Sequence, residues 1–359
     1  MAGSDPAAGH GESQPRDFIG YGRRPPFVTW PGGAKLAINL VLNYEEGSEQ
    51  SWLEDGKNDN WGEYNIPVSP PVRDLGTETH FEYGSRAGVW RLARLFDRFA
   101  VPVTVSACAV ALQRNPEVAA WMNERGHDLL GHGLRWREYS LLPRAAEARD
   151  LRSAIALYRE VAGRRPLGWN CRSFPSVNTR DLLVEEGGFL YHADPCNDDL
   201  PYFADHKGRR ILIVPYSKTL NDSRYLIAPG YSNPRDFAED CRAAIDYLLD
   251  EADETGGRML TIWPAGWASR TGPRGCARCS SMSAGRRTPC SCAAGTSPAI
   301  GSTTTRASAR ATDVRAAAAG RYAGRCRCDA ARRPCARRRQ DRRCARPRRS
   351  GRSGASRRC

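Results

Sequence analysis

Apolar segments of strand length alternate with segments of helical periodicity from Ala34 to Ile262, and this alternation limits the chain to a few folds. The run AINLVLNY is almost continuously apolar, as in a strand that is buried on both faces of a parallel sheet. The segment VWRLARLFDRF at Val89–Phe99 spaces its apolar residues as a helix does. Strands that alternate with helices over about 230 residues favour a parallel α/β barrel or a doubly wound sheet.

The same patterns predict the other elements of this region. Further strands are predicted at Val101–Cys108, Asp128–Gly133, Pro166–Asn170, Phe189–Asp194, Arg210–Ser217 and Arg258–Ile262. Further helices are predicted at Pro116–Arg125, Arg144–Ala162, Thr179–Glu186 and Pro234–Ala252, the last after a capping region at Ser232 and Asn233. Neither GxGxxG nor GxxxxGK[ST] follows any of the strands, which disfavours a nucleotide-binding function.

Polar residues cluster at the ends of the predicted strands. In a barrel of parallel strands, the carboxyl ends of the strands form the active site. That rule selects Glu45, Glu46, His132, Asn170–Arg172, Asp194 and the segment after Pro215. A carboxylate pair can also be a solvated turn, and an isolated histidine is often structural, so position alone does not assign a function.

Several motifs at these positions resemble the polysaccharide deacetylase (NodB-homology) family, in the branch of the metal-independent allantoinases. They are IGYGRRPPFVTWPGGAKLAINLVLNYEEG, FEYGSRAGVWR, GHGLRW, VNTRDLLVEEGGFLYHAD, CNDDLPYF and VPYSKTLNDSRY, all within residues 17–262. The resemblance implies a distorted (β/α) barrel with fewer than eight strands and hydrolysis of a non-peptide C–N bond. The segment CRSFPS around Arg172 departs from the allantoinase pattern, which leaves the substrate open.

The resemblance also bears on metal binding. Metal-dependent members of the family have two aspartates after the first strand and two histidines spaced four apart. Here the acidic pair is Glu45 and Glu46, and Trp136 occupies the position of the second histidine after His132. Because a catalytic cation needs about three fixed protein ligands and an open position, we predict no catalytic metal and no other cofactor.

Without a metal, side chains must activate water and stabilise the oxyanion. We expect Glu45 or Glu46 to act as general base, each raising the pKa of the other through proximity. His132 is then the candidate to pass a proton to the leaving nitrogen, and Arg172 or Arg135 to bear the developing negative charge. Replacement of either glutamate by glutamine is expected to abolish turnover.

Further candidate contacts to a small amide or ureide substrate lie in the matching motifs. They are Glu82, Trp136, Asp194, Asn221 and Asp222. Each also has a structural interpretation. Trp136 can pack the barrel mouth, Glu82 and Arg86 can serve subunit contacts, and the last three are turn-forming residue types.

The composition changes abruptly after Ile262. Residues 263–359 contain 24 arginines, three acidic residues and nine cysteines, but no Leu, Phe, Lys, Glu, Asn or His. The net charge of this stretch is +21, which leaves −7 for residues 1–262 of a chain whose total is +14. Such a stretch lacks the apolar residues for a packed core. We therefore divide the chain into a disordered arm at 1–16, a catalytic domain at 17–262 and an Arg/Ala/Cys-rich tail at 263–359.

Three interpretations of the tail compete. It can be a nucleic-acid-binding segment or, with irregular ligand spacing and no histidine, a zinc module that begins at Cys276 and Cys279. It can also be an out-of-frame translation, which we favour. Back-translation with the frame moved one base upstream converts ARCSSMS to RALLEHV, TPCSCA to HAVFVR and TSPAIGSTTTR to DIARHWIDHYP. These segments read in order as helix, strand and helix, and they resemble the end of this family.

The frameshift has consequences for the whole chain. The usual histidine-containing loop after the last strand is replaced by WPAGWASR. A barrel without its closing elements is expected to leave an open sheet edge, so the polypeptide is expected to be poorly soluble and inactive. The four scattered cysteines of the body and the absence of signal-like or membrane-spanning segments favour a cytoplasmic location without membrane contact. Relatives suggest a homo-oligomer.

Overall fold

The structure, a computed structural model, describes residues 16–59, 71–225, 230–231 and 233–264, together with the backbone of 290–292. All of them belong to the compact unit Met1–Gly320, and the second unit, Arg321–Cys359, lies outside the described residues. Most of the predicted arm and nearly all of the predicted tail, including Cys276 and Cys279, also lie outside them.

Nine strands form one curled sheet, as expected for a distorted α/β barrel of the NodB-homology type. They are β1 (Leu36–Tyr44), β2 (Thr104–Ala107), β3 (Asp128–Gly131), β4 (Gly168–Trp169), β5 (Tyr191–His192), β6 (Tyr202–His206), β7 (Arg209–Ile213), β8 (Arg258–Ile262) and β9 (Cys290–Cys292). The order along the sheet is β6-β7-β5-β4-β3-β2-β1-β8, and β9 pairs with β1 outside this path. All neighbours are parallel except β6 and β7.

Eight α-helices connect and cover the strands of the described part. They are α1 (Trp52–Asp55), α2 (Leu75–Tyr83), α3 (Val89–Phe99), α4 (Ala109–Arg114), α5 (Pro116–Glu124), α6 (Arg144–Ala162), α7 (Thr179–Glu186) and α8 (Pro234–Thr255). The predicted bounds of α3, α6 and α7 are confirmed. A π-helical turn at Gly84–Gly88 joins α2 to α3. The predicted capping region of α8 is a capping box between Asn233 and Asp236.

The hairpin of β6 and β7 was not predicted. Lys207 and Gly208, both with positive φ, form the two-residue turn between these antiparallel strands. β6 alternates between half-buried and exposed residues, so it lacks the apolar run by which the other strands were recognised.

Helices pack on the outer face of the sheet, whereas a smaller layer fills its inside. The main core joins strand residues such as Leu42 and Ile213 to helical residues such as Phe96 and Tyr158. A separate cluster of Val41, Leu130, Ala193 and Trp263 lies on the other face, because Val41 alternates along β1 with Leu40 and Leu42 of the main core. The barrel therefore has a packed interior layer, and the polar ends of the strands stand above it.

The edge of β8 that faces away from β1 has backbone partners. The Met259 amide donates to Asp199 O at 2.9 Å and the Trp263 amide to Leu220 O at 2.9 Å. Asp222 N returns a hydrogen bond to Trp263 O at 3.1 Å. The open edge expected from the sequence is thus partly covered, because loops that follow β5 and β7 close against β8. This result weakens one of the two grounds for the expected inactivity; the other, the replaced histidine-containing loop, stays a prediction.

Candidate active site

Glu45 and His132 meet at the mouth of the barrel. Glu45 follows the end of β1 and His132 follows the end of β3, so the parallel register brings both to the same edge. His132 Nε2 lies 2.9 Å from Glu45 Oε1, and both side chains are almost completely buried. Asn43, the second-last residue of β1, donates its Nδ2 to the same Oε1 at 3.0 Å.

His132 has a polar contact at each ring nitrogen. Nδ1 is 2.9 Å from the carbonyl oxygen of Asn170, and a carbonyl can only accept, so Nδ1 carries a hydrogen. Nε2 is in ion-pair contact with Glu45 Oε1. A carboxyl group and an imidazole in contact are a suitable pair for general acid–base chemistry.

Asp194 contacts Asn170, and the carbonyl oxygen of Asn170 in turn contacts the His132 ring. Its Oδ1 accepts hydrogen bonds from Asn170 Nδ2 at 2.9 Å and from Cys171 N at 2.7 Å. Its Oδ2 accepts from His192 Nε2 at 2.6 Å. These contacts fix the end of β4 and, with it, the carbonyl that orients the His132 ring. The structure thus brings Asp194 into the site as a supporting group.

Glu46 occupies a different environment from Glu45. Its carboxylate packs against Gly84, where a Cβ would overlap it, and Oε2 accepts a hydrogen bond from Glu45 N at 3.1 Å. Desolvation raises the pKa of Glu46 to about 8, and the negative charges of Glu45 and Glu49 contribute to the rise. The expected effect of one glutamate on the other is therefore present, but burial is the larger cause.

Arg172 and Trp136 form a buried stack next to the loop that follows β1. The Arg172 Cζ lies 3.5 Å from the centroid of the Trp136 ring. Its guanidinium makes a bidentate ion pair with Asp59 at 2.7 and 2.9 Å and donates to Trp136 O at 2.9 Å. Glu138 Oε1 lies 3.0 Å from Nε. The charge that was expected to face the substrate is thus engaged by two carboxylates.

Arg135 has a similar arrangement on the other side of this loop. It makes a bidentate pair with Asp55 at 2.9 and 2.8 Å and contacts Glu54 at 3.0 Å. It also donates to Glu49 O at 2.6 Å. Both arginines therefore hold the segment that carries Glu45 and Glu46.

The residues at the mouth do not form a site for a divalent cation. Among the residues that the structure describes, no group of three His, Cys, Asp or Glu side chains could hold a metal. Trp136 stands where the metal-dependent members have the second histidine, and its indole packs against the Arg172 guanidinium. A fixed positive charge therefore lies beside that position. This donor set does not fit the metal of the metal-dependent members.

The other predicted contacts lie further from the pair. Glu82 is exposed on α2 and forms an ion pair with Arg86 at 3.4 Å. Asn221 and Asp222 are buried next to Trp263, with which Asn221 forms an isolated parallel bridge. Asn221 reaches the mouth only indirectly, because its Nδ2 donates to the hydroxyl of Tyr216.

Three residues of the mouth were not named as candidates from the sequence. Asn43 and Glu45 lie two residues apart, and strand periodicity could have found this pair. Tyr216 falls in the segment after Pro215 that the strand-end rule selected as a whole. Trp263 stands immediately after β8, and its ring packs edge-on against that of Tyr216 with centroids 4.6 Å apart.

Comparisons with known proteins agree with this fold. Residues 78–177 match the family model for polysaccharide deacetylase. A Schizosaccharomyces pombe protein named as a polysaccharide deacetylase is 34% identical over 270 residues, which cover 69% of this chain and 83% of that protein.

Two solved structures share the fold with a TM-score of 0.71 each. The PuuE allantoinase is 37% identical, with 77% of this chain and 93% of that chain covered. A Pseudomonas aeruginosa PAO1 protein named as a polysaccharide deacetylase is 38% identical, with coverages of 76% and 93%. No helix of the described residues is long and apolar enough to cross a membrane.

Proposed function

This chain belongs to the polysaccharide deacetylase family, and from that membership we propose that it opens a cyclic amide or ureide, such as allantoin, without a metal. The observation that carries the proposal is the buried contact of 2.9 Å between Glu45 and His132, beside an indole that replaces a metal ligand. The likeness to the PuuE allantoinase supports the substrate class.

In the proposed reaction, Glu45 acts as general base and His132 as general acid. In the productive form Glu45 is a carboxylate and His132 an imidazolium. Glu45 takes a proton from water as the water oxygen bonds to the substrate carbonyl carbon. When the C–N bond breaks, His132 gives its Nε2 proton to the departing nitrogen. Transfer of the Glu45 proton back to His132 restores the pair.

Glu46 has another role in this proposal. Because its pKa is raised to about 8, it is mostly neutral at pH 7, so it does not add a second negative charge beside Glu45. We therefore assign the general base to Glu45, and Glu46 to the packing that holds the loop.

In this scheme, the two arginines at the site act by positioning the loop that follows β1. Arg135 and Arg172 position the segment 45–59 and contribute a positive potential from the side. It stays a prediction that these two arginines contact the substrate directly. The same holds for Glu82, Trp136, Asp194, Asn221 and Asp222. The four free cysteines of the described residues fit a reducing, cytoplasmic compartment, and a homo-oligomer stays a prediction.

The second candidate is a deacetylase of N-acetylated sugars, which the match to the family model favours. The two functions differ in the fate of the substrate. A cyclic ureide yields one ring-opened product, whereas an acetylated sugar releases acetate. They also differ in metal dependence, because deacetylation in this family is tied to the metal site that this chain does not form.

Hydrolysis by the purified full chain tests the proposal. We expect ring opening of allantoin that is unchanged by prolonged treatment with EDTA, and no acetate release from N-acetylated oligosaccharides. Glu45→Gln should lower kcat by roughly 10²–10⁴-fold because it removes the base, whereas Glu160→Gln, at an exposed position of α6, should leave it unchanged. Acetate release that EDTA abolishes would establish the second candidate instead. Equal activity of Glu45→Gln and wild type would exclude the assigned base.

A further inference from the structure

Tyr216 lies at the same edge of the sheet as Glu45 and His132, because β7 runs parallel to its neighbour β5, and it has no role in the scheme above. It follows the end of β7, and its amide donates to Pro195 O at 2.7 Å. Its ring packs against Trp263 and the interior cluster that includes Val41 and Leu130. The residues two positions further along β1 and β3 are Asn43 and His132, so the layer that Tyr216 contacts lies directly below the candidate pair.

The Tyr216 hydroxyl is held in one orientation. Asn221 Nδ2 donates to it, and Asn221 Oδ1 accepts from Ser223 N at 2.7 Å. Because a backbone amide can only donate, the second contact fixes which end of the Asn221 amide faces the phenol. The Tyr216 hydroxyl therefore accepts a hydrogen bond from Asn221, and its own hydrogen is directed away from Asn221.

The phenol also remains neutral in this position. Burial raises the pKa of Tyr216 to about 12 against the opposing effect of the hydrogen bond from Asn221, and the charges of Glu45 and Asp222 add to the rise. A neutral O–H at the edge of the sheet that carries the general base is a suitable donor to a new oxyanion. The two charged donors near the site, Arg135 and Arg172, are already engaged by carboxylates.

We propose that Tyr216 donates a hydrogen bond to the carbonyl oxygen of the scissile amide as that oxygen becomes an oxyanion. This inference rests on the proposed function. When the water oxygen bonds to the carbonyl carbon, the π electron pair moves to the carbonyl oxygen, and the Tyr216 O–H stabilises it without transferring its proton. The pair returns as the C=O bond re-forms and the C–N bond breaks, with the leaving nitrogen protonated by His132.

The test compares wild-type full chain with Tyr216→Phe and Tyr247→Phe, using allantoin as substrate. Tyr247 is exposed on α8, so its variant controls for the loss of a tyrosine hydroxyl in general. We expect Tyr216→Phe to lower kcat by about 10²–10³-fold, with KM changed by less than about threefold and the thermal midpoint retained, because the donor acts mainly in the transition state. Tyr247→Phe should match the wild type.

A second variant covers the case in which Tyr216→Phe does not fold. A fluorinated tyrosine at position 216 keeps the shape of the ring but has a more acidic hydroxyl, so kcat should fall at a lower alkaline pH than in the wild type. An unchanged kcat in a folded Tyr216→Phe protein, or an unchanged pH profile for the fluorinated protein, overturns the inference alone. Absence of turnover by the wild type overturns the proposed function and this inference with it.

Discussion

At the residue scale, burial raises the pKa of Glu46 more than the charge of the neighbouring Glu45 does. Its pKa in the folded chain is about 8, against 4.5 for an unperturbed glutamate. The folded state therefore holds a proton that the unfolded chain releases between these two pH values. By linkage, the contribution of Glu46 to the free energy of unfolding is complete below about pH 4.5 and is lost as the pH rises to about 8.

The substitution Glu46→Gln removes this dependence. The variant should match the wild type in free energy of unfolding near pH 4.5 and exceed it above pH 8 by on the order of a few kcal/mol. Urea unfolding at pH 5, 7 and 9 measures the difference, and Glu82→Gln at an exposed position provides the control. A difference of the same size at all three pH values would contradict the raised pKa.

At the element scale, a buried ion pair joins the loop after β1 to the end of β4. Asp59 and Arg172 are nearly inaccessible and are separated by 113 residues in sequence. Removal of one member breaks a buried ion pair, which typically costs about 3–5 kcal/mol, although Arg172 keeps its contact with Glu138 when Asp59 is removed. We expect this pair to determine the position of Glu45, which lies on the same loop.

A double-mutant cycle measures the coupling. Asp59→Asn and Arg172→Met should each destabilise the fold by about 3 kcal/mol or more, and the double variant by less than the sum of the two. Glu78→Gln, which breaks the more exposed pair with Arg73, should cost less than about 1 kcal/mol. Strict additivity for Asp59 and Arg172 would show that the contact contributes no coupling.

This pair also shows why the sequence predicted the site only in part. Periodicity located α3, α6 and α7, and the strand-end rule selected Glu45, His132 and Asp194, which the structure connects, because both depend on local patterns. The counterions of Arg172 and Arg135 depend on contacts between distant segments, which no local pattern encodes. The arginines were therefore expected to face the substrate, whereas the structure turns them towards Asp59 and Asp55.

At the scale of the whole molecule, the chain combines a body of charge −7 with a tail of charge +21. Opposite charges on one polypeptide favour association between copies, and salt screens such contacts beyond about 10 Å at 0.1 M. If the tail acts as a polycation, binding of the full chain to duplex DNA should weaken by at least about 10³-fold between 50 and 200 mM salt. Truncation after Ile262 should abolish the binding, and binding that survives would place the nucleic-acid site in the body.

The out-of-frame interpretation of the tail makes a separate prediction. Moving the reading frame by one base after codon 262 should replace the arginine-rich stretch with a helix, a strand and a helix that carry apolar faces. Such elements can cover the surface beside β8, where the loops after β5 and β7 provide three backbone hydrogen bonds. We therefore expect the frame-restored chain to give a larger soluble fraction and a higher thermal midpoint than both the full chain and the chain truncated after Ile262. The truncated chain is the control, because it also lacks the positive charge of the tail but does not gain the new elements. Equal solubility and equal thermal midpoints for the frame-restored and truncated chains would show that the shifted frame encodes no closing elements.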